Sequence, residues 1–223
     1  MTAGDPDEAH LQIGSYDLED DLLEAVRSRG CTQIQLYRHP DTAVVLGRGS
    51  KPSIELNLPN CTIDRVPILR RRGGGCSVVL DPGNLIFSAA FPLPGLGGIH
   101  DAYDRVTGWL IRGLSDCGIP GIRREGVTDL AFDGMKIGGG CIYRQRGMLF
   151  YSTTILFDPE IDKIERYLLH PPREPDYRHG RTHGEFITSL IKVADSRDIE
   201  EFRQRLEDSL LLAAVTFNDT TTV

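Results

Sequence analysis

Two runs of three glycines carry cations at their edges. The first reads Arg70-Arg71-Arg72-Gly73-Gly74-Gly75-Cys76-Ser77, and the second Lys136-Ile137-Gly138-Gly139-Gly140-Cys141. A glycine run lets the main chain approach a ligand with no Cβ between them and presents backbone N–H groups. Adjacent guanidinium groups match the geometry of phosphate oxygens. The first run therefore suits an anion cradle of the nest type. The same composition also makes a tight turn beside a solvated charge run, and residue types alone leave both readings open. In the second run one lysine can meet a phosphate or a carboxylate end-on, or simply cap a solvated hairpin. Neither run is a Walker A loop, and no G-x-G-x-x-G occurs. Two such runs in one chain, each flanked by strand-like residues, suggest two backbone-rich turns facing one pocket. A ligand with an acyl chain and a charged head would fit it.

The cysteines add little chemistry by spacing. There are five, Cys31, Cys61, Cys76, Cys117 and Cys141, with no C-x-x-C and no zinc-like cluster with histidine. Reduced thiols in a cytoplasmic protein are expected. A net charge of −7 argues against a nucleic-acid partner. No apolar run reaches the roughly 18–20 residues of a membrane span, and residues 1–9 lack the basic start of a secretory signal. With 223 residues, 40% hydrophobic and 26% charged, a single globular domain over 1–223 is expected, with a loose leader over 1–15 and a terminal helix and tail over about 195–223.

The elements that must position these runs follow from periodicity. Residues 17–29 place Leu18, Leu22, Leu23 and Val26 on one stripe, acidic residues first and Arg late, with Gly30 as a stop. Strands are expected over 34–37, 42–46 and 63–69, then around the first glycine run and the Pro82-Gly83 turn. A loop is expected over 91–98 and a helix over 101–117. Strands at 128–132, 135–137 and 149–157 surround the second run, with a helix at 160–168. Residues 170–183 form a Pro- and Arg-rich connector. Residues 186–191 and 199–214 are amphipathic, the latter helical. Strands dominate the centre and helices flank it, which indicates α+β with a substantial antiparallel component.

The stretch RRRGGGCSVVLDPGN (Arg70–Asn84) resembles, without a gap, a signature of the lipoate–protein ligase family, within the biotin/lipoate protein ligase and octanoyltransferase superfamily. That signature is arginines, Ser-Gly-Gly-Gly-Ala, a strand and Asp-x-Gly-Asn. Thr128-Asp129-Leu130 with Asp133-Gly134-Met135-Lys136-Ile137-Gly138-Gly139-Gly140-Cys141 is similar to its Asn-Asp-Leu and Asp-Gly-x-Lys signatures. VVLGRGS (Val44–Ser50) resembles its Gly-Arg strand end, and SYDLEDDLLEAV its first helix. The resemblance covers roughly residues 15–193. It implies a mixed, largely antiparallel sheet flanked by helices, as in class II synthetases and biotin–lipoate ligases, without the C-terminal accessory domain that full ligases often carry. It also implies a chemistry: lipoate (or octanoate) is joined to AMP using ATP and Mg2+ as co-substrates, with no tightly bound prosthetic group. The acyl group then passes to a lysine of an apo lipoyl domain.

Carried over residue by residue, Arg72 matches the arginine on the nucleotide side. Gly73, Gly74, Gly75 and Cys76 match the loop over the ligand, and Ser77, Val78, Val79 and Leu80 the strand lining the acyl-adenylate. Lys136 matches the catalytic lysine at the acyl carboxyl and phosphate. Arg48, Arg71, Asp129, Gly138, Gly139 and Thr154 complete the candidate binding set, with Asp129 the candidate polar group near Mg-phosphate. A fixed ammonium beside a carbonyl oxygen and a leaving phosphate stabilises developing charge, worth about 3–4 kcal/mol of barrier. Val78, Leu85, Phe87, Ile137 and Ile155 are candidates for an acyl tunnel, and equally for core.

The match has departures. Gly73 stands for the family's Ser, Cys76 for its third Gly, Ser77 and Cys141 for alanines, Thr128 for Asn, and Leu80 and Ser152 for histidines. The superfamily's octanoyltransferases use a cysteine nucleophile, and neither of its usual places, near 123–127 or 170–183, holds one here. Cys76 and Cys141 are alternative nucleophiles, or small buried stand-ins for Gly and Ala. Residues 174–186 read as a charged loop that closes over nucleotide or docks an acidic lipoyl domain, or as a solvated connector. The resulting expectation is an ATP-dependent lipoate–protein ligase; the alternatives are an ATP-independent octanoyl or lipoyl transferase drawing on a carrier protein, and a non-catalytic lipoyl-domain binder. After residue 193 roughly thirty residues remain, so either a separate accessory subunit joins the chain or its reaction needs none.

Overall fold

A computed structural model describes residues 11–95 and 97–219, with side chains to Ala213. In chain order the elements are β1 (Ile13–Ser15), α1 (Asp20–Arg29), β2 (Gln33–Arg38), β3 (Ala43–Leu46), α2 (Pro52–Glu55), α3 (Leu58–Ile63), β4 (Ile68–Arg70), β5 (Val78–Leu80), β6 (Asn84–Pro92), α4 (Ile99–Asp116), β7 (Arg123–Glu125), β8 (Asp129–Phe132), β9 (Met135–Gln145), β10 (Met148–Leu156), α5 (Ile161–Tyr167), α6 (His183–Phe186) and α7 (Ile199–Asp219). An antiparallel sheet runs β2-β6-β10-β9-β8-β7. A second, mixed sheet runs β1-β4-β3-β5, in which β4 lies parallel to both β1 and β3. The expected α+β architecture, largely antiparallel with flanking helices, is the one found.

Local chemistry explains the ends of α1. Asp20 and Asp21 occupy its first turn, and Arg27 and Arg29 its last. Gly30 takes φ 69 and returns its N–H to Val26. Leu22, Leu23 and Val26 are buried, whereas Leu18 precedes the helix and stays exposed.

Strand alternation divides the large sheet into two faces. Leu85, Phe87 and Phe91 of β6 and Leu149, Tyr151 and Ile155 of β10 pack against Trp109 and Leu110 of α4 and Phe202 and Leu206 of α7. Ile86 and Ser88, with Phe150, Ser152, Thr154 and Leu156, face the other way, toward the cavity side. This parity corrects the proposed acyl tunnel. Leu85, Phe87, Ile137 and Ile155 lie in the helix-side core, and of that set only Val78 lines the cavity.

Other expectations shift for local reasons. Residues 13–15 are no leader, since β1 pairs with β4 in register Ile13–Ile68; residues 1–10 lie outside the described residues. Residues 63–69 are not one strand. Asn57 caps α3 by accepting from the Asn60 N–H, Pro59 suits its first turn, and the chain turns at Arg65 (φ 52) before β4 begins. Phe91 and Pro92 continue β6 into the expected loop. The second glycine run is not a turn but the middle of the long strand β9. In the amphipathic stretch 186–191, α6 ends at Phe186 and Ile187 bridges to Lys136 in parallel.

Candidate functional site

A cavity of about 730 Å3 opens between the two sheets and is walled by the first glycine run, β9, β10 and the 171–187 segment. Of the candidate residues, the whole stretch from Arg71 to Val79 lines it, together with Asp129, Lys136, Gly138, Gly139 and Thr154. Arg48 does not. Its side chain is exposed and only its backbone contributes, its N–H donating to the Gly73 carbonyl at 2.9 Å. Beside it Gly47 touches the loop so closely that a Cβ would sit 2.0 Å from the Gly75 oxygen. The Gly47-Arg48-Gly49 turn thus backs the glycine loop.

The arginine cluster divides its labour. Arg70 donates to the Gly47 and Ser50 carbonyls at 2.9 and 3.0 Å. Arg71 donates to the carbonyls of Val45 (3.2 Å), Gly74 (2.7 Å) and Cys76 (2.8 Å). Arg70 thus staples the 47–50 turn and Arg71 the glycine loop's main chain, so that Arg71, although it lines the cavity, directs its donors to carbonyls of the protein. Arg72 keeps its head group at the cavity, paired with Asp20 at 2.7 Å where both side chains are nearly half exposed. Such a pair exchanges readily for a ligand anion.

Beneath the loop lies a carboxylate that sequence reasoning missed. Buried Glu55 accepts through Oε2 from the Ser77 N–H (2.6 Å), the Ser77 hydroxyl (2.7 Å) and the Ser50 hydroxyl (3.0 Å). Ser77 is thereby turned into the protein and its hydroxyl serves the loop. The only sequence signal for Glu55 is Pro52, which starts the short α2 that carries it.

Lys136 stands on the opposite wall. A bulge where Leu130 and Ala131 meet β9 shifts register, so that Ala131 pairs with Lys136 and Leu130 with Gly138. Bulges commonly re-aim a side chain in this way. The Lys136 ammonium donates to Asp129 Oδ1 at 2.8 Å, and the Tyr177 hydroxyl donates to Asp129 Oδ2 at 3.0 Å. Burial and the neighbouring Asp129 carboxylate hold the Tyr177 phenol protonated. Gly139 leaves space for the lysine, since a Cβ there would come 3.1 Å from Nζ. Gly138 meets β10 so closely that a Cβ would lie 2.4 Å from the Thr154 oxygen.

The two cysteines on the glycine runs have defined neighbours. Cys141 packs on Gly73, where a Cβ would sit 2.4 Å from its Sγ. Glycine at 73 therefore accommodates the larger residue at 141, opposite changes in size at touching positions. Burial pushes the Cys141 thiol up, away from a reactive thiolate. The Cys76 thiol donates to the Arg173 carbonyl at 3.8 Å, tying the loop to the 171–187 segment. Another carboxyl that sequence reasoning missed, Glu19, accepts from Ser88 and Ser152 at 2.5 and 2.6 Å at the cavity wall, and burial raises its pKa.

The 171–187 segment is built, not a solvated connector. Arg181 donates to the Tyr177 and Gly134 carbonyls at 2.8 and 3.1 Å. Thr182 and Glu185 close a capping box on α6. Among the described residues no group of three metal-ligating side chains converges. Asp129 is one of several carboxylates that line the cavity, with Glu19, Asp20, Glu174 and Asp176. No described helix is long and apolar enough to cross a membrane.

The chain matches the lipoyl protein ligase A/B catalytic domain family over residues 15–211. It is 29% identical to a probable lipoate-protein ligase A of Mycoplasma genitalium over 151 residues, 68% of this chain and 44% of that protein. It is 30% identical to a putative lipoate-protein ligase A of Aeropyrum pernix over 74% of this chain and 63% of that protein. The chain thus spans less than two thirds of the length of these relatives. Among solved structures, a putative lipoate protein ligase from T. acidophilum with bound lipoic acid superposes with TM-score 0.71 at 19% identity, covering 89% of this chain and 80% of that one. A lipoate-protein ligase A bound with ATP superposes with TM-score 0.67 at 21% identity, covering 84% and 76%. At these identities the structural likeness establishes the shared fold.

Proposed function

The chain belongs to the lipoyl protein ligase A/B catalytic domain family, and on that premise we propose that it is an ATP-dependent lipoate–protein ligase whose acceptor is a lysine of a lipoyl domain. The observation that carries this reading is Lys136, held by Asp129 and Tyr177 in the same cavity as the glycine loop. In the first step an acyl carboxylate oxygen bonds to the α-phosphorus of ATP and pyrophosphate leaves. In the second the acceptor amine attacks the acyl carbonyl, loses its proton, and AMP leaves. Lys136 stabilises negative charge on the α-phosphate and on the carbonyl oxygen, where a preorganised cation acts most strongly. The loop main chain, stapled by Arg71 and Glu55, presents its amides without further reorganisation. Apolar side chains from both sheets, among them Val45, Val79, Ile86 and Phe150, provide room for the acyl chain. Mg2+ is read as arriving with the nucleotide, with Asp129 beside the phosphates.

Cys141 is half-buried, packed on Gly73, and its thiol is pushed up by desolvation, which favours the ligase reading over a thioester at that residue. The test is the mass of an apo lipoyl domain incubated with the protein. Lipoate with Mg-ATP is expected to add one lipoyl group. A domain modified only by an octanoyl carrier protein makes the protein a transferase instead, and calorimetric binding without modification makes it a binder. Lipoate with octanoate in competition fixes the acyl chain, and supplying a candidate accessory subunit shows whether one is required.

A further inference from the structure

The 171–187 segment contributes one cation that neither the fold nor the roles above account for. Arg178 is 4% exposed and lines the cavity. Its Nε donates to the Arg181 carbonyl at 2.9 Å, and its guanidinium carbon lies 5.0 Å from the centre of the Phe186 ring. Its carboxylate neighbour, Glu174, stands 3.6 Å from Nε and is shared with His170 at 2.9 Å. Nη2 is sealed from water and, among the described residues, has no hydrogen-bond partner. An arginine does not shed its proton, so this is a permanent charge with an unfilled donor. Burying such a donor unpaired is unfavourable. A purely structural role explains it poorly, because Arg71 in the same cavity shows what one looks like, with its donors on three carbonyls.

We infer that Arg178 binds the β- and γ-phosphates of the nucleotide and holds the pyrophosphate as it leaves; this rests on the ligase reading above. Arg178 follows directly on Tyr177, whose hydroxyl reaches the Asp129 that holds Lys136. Tyr177 and Arg178 both pack on the Phe186 ring, at 5.0 Å each, and Arg178 and Lys136 line the same cavity. In the first step the acyl oxygen bonds to the α-phosphorus, and the bond from that phosphorus to the bridging oxygen breaks. The electron pair departs on pyrophosphate with no proton or redox change. A planar guanidinium with a free N–H suits that leaving group. The second step releases AMP and no pyrophosphate, so Arg178 acts on one half-reaction only.

The test separates the halves. The 223-residue wild type, Arg178→Gln and Arg178→Lys are compared in three assays: lipoate-dependent exchange of pyrophosphate into ATP, single-turnover transfer from presynthesised lipoyl-AMP to an apo lipoyl domain, and calorimetry with inorganic pyrophosphate. Arg178→Gln should weaken pyrophosphate binding and slow exchange by about tenfold or more, the loss of one charged contact. Transfer from lipoyl-AMP should stay within about threefold, and Arg178→Lys, which keeps the charge, should recover part of the exchange. Equal losses in both half-reactions, or unchanged pyrophosphate binding, overturn the inference. Should Arg178→Gln not fold, Arg178→Lys decides: exchange lowered with transfer retained supports the site, and any other pattern overturns it. Pyrophosphate calorimetry uses no lipoate, so an Arg178-dependent affinity survives even if lipoyl transfer is never seen. A lipoylating enzyme without that affinity refutes only the anion site.

Discussion

Replacing Gly138 or Gly139 by alanine adds the same methyl group to adjacent residues of one strand, with opposite consequences. At Gly138 the new Cβ would lie 2.4 Å from the Thr154 carbonyl oxygen, a main-chain atom of the neighbouring strand β10. Neither partner is a flexible side-chain end, so β9 and β10 must part by nearly 1 Å at that point. Ladder hydrogen bonds do not survive such a stretch. Losing two or three of them in a buried sheet, at about 1–2 kcal/mol each once the orphaned groups are included, costs about 2–6 kcal/mol. The roughly 0.4–1 kcal/mol gained by stiffening the unfolded chain does not offset this. At Gly139 the Cβ would come 3.1 Å from Lys136 Cε and Nζ and 3.2 Å from Asp129 Oδ1. These are side-chain ends, and the lysine can move aside. Gly139→Ala should therefore unfold within about 1 kcal/mol of wild type while displacing Lys136 by a few tenths of an ångström, for a turnover loss of about tenfold to a hundredfold. Urea titrations followed by the fluorescence of the single, buried Trp109 measure the first effect, and lipoyl transfer measures the second. Gly138→Ala unfolding within 1 kcal/mol of wild type, or Gly139→Ala losing stability alongside it, would refute the reasoning.

Lys136→Ala should lower turnover by about 10²–10³-fold with little change in the urea midpoint; near-normal turnover excludes the assigned role. Glu55→Ala strands two hydroxyls and one N–H beneath the glycine loop and should destabilise the fold by about 3–5 kcal/mol, read as a fall in denaturation midpoint; a change below 1 kcal/mol would mean that the loop does not depend on that carboxylate. Burial lowers the pKa of His183 below its ordinary 6.5, its Nε2 being 3.2 Å from the Leu169 carbonyl. The unfolded chain then takes up the proton first, so stability is lost as pH falls through about 6.5 and below. Glu19, with its raised pKa, contributes with the opposite sign, so the comparison is made against a variant. His183→Gln should show a shallower loss of stability than wild type between about pH 7.5 and 5.5, and identical slopes would reject the assignment.

Much of the site was legible in the chain because its chemistry is contiguous. The segment from Arg71 to Val79 lies together in sequence and together on the cavity wall, and Asp129 and Lys136 flank one hairpin. The helix α1 was legible for a similar reason: its charge order, apolar stripe and terminal Gly30 are local signals. Face and direction were not legible. β6 is buried throughout, so its composition cannot tell Ile86, at the cavity, from Leu85 and Phe87, in the core. The second glycine run looks like a turn by composition, yet it is strand interior, since its glycines admit a neighbouring carbonyl and a lysine rather than a reversal of the chain.

What the sequence by itself determined is the set of residues that had to meet: a glycine loop, the arginines before it, and a lysine on a later strand. The partners were decided by the tertiary structure alone. Arg71 donates to main-chain carbonyls, Ser77 turns toward Glu55, and Tyr177 reaches Asp129 from 48 residues away. A guanidinium or hydroxyl bonds to whatever acceptor the fold brings within about 3 Å, and that proximity is a property of packed sheets and loops rather than of any local run of residues.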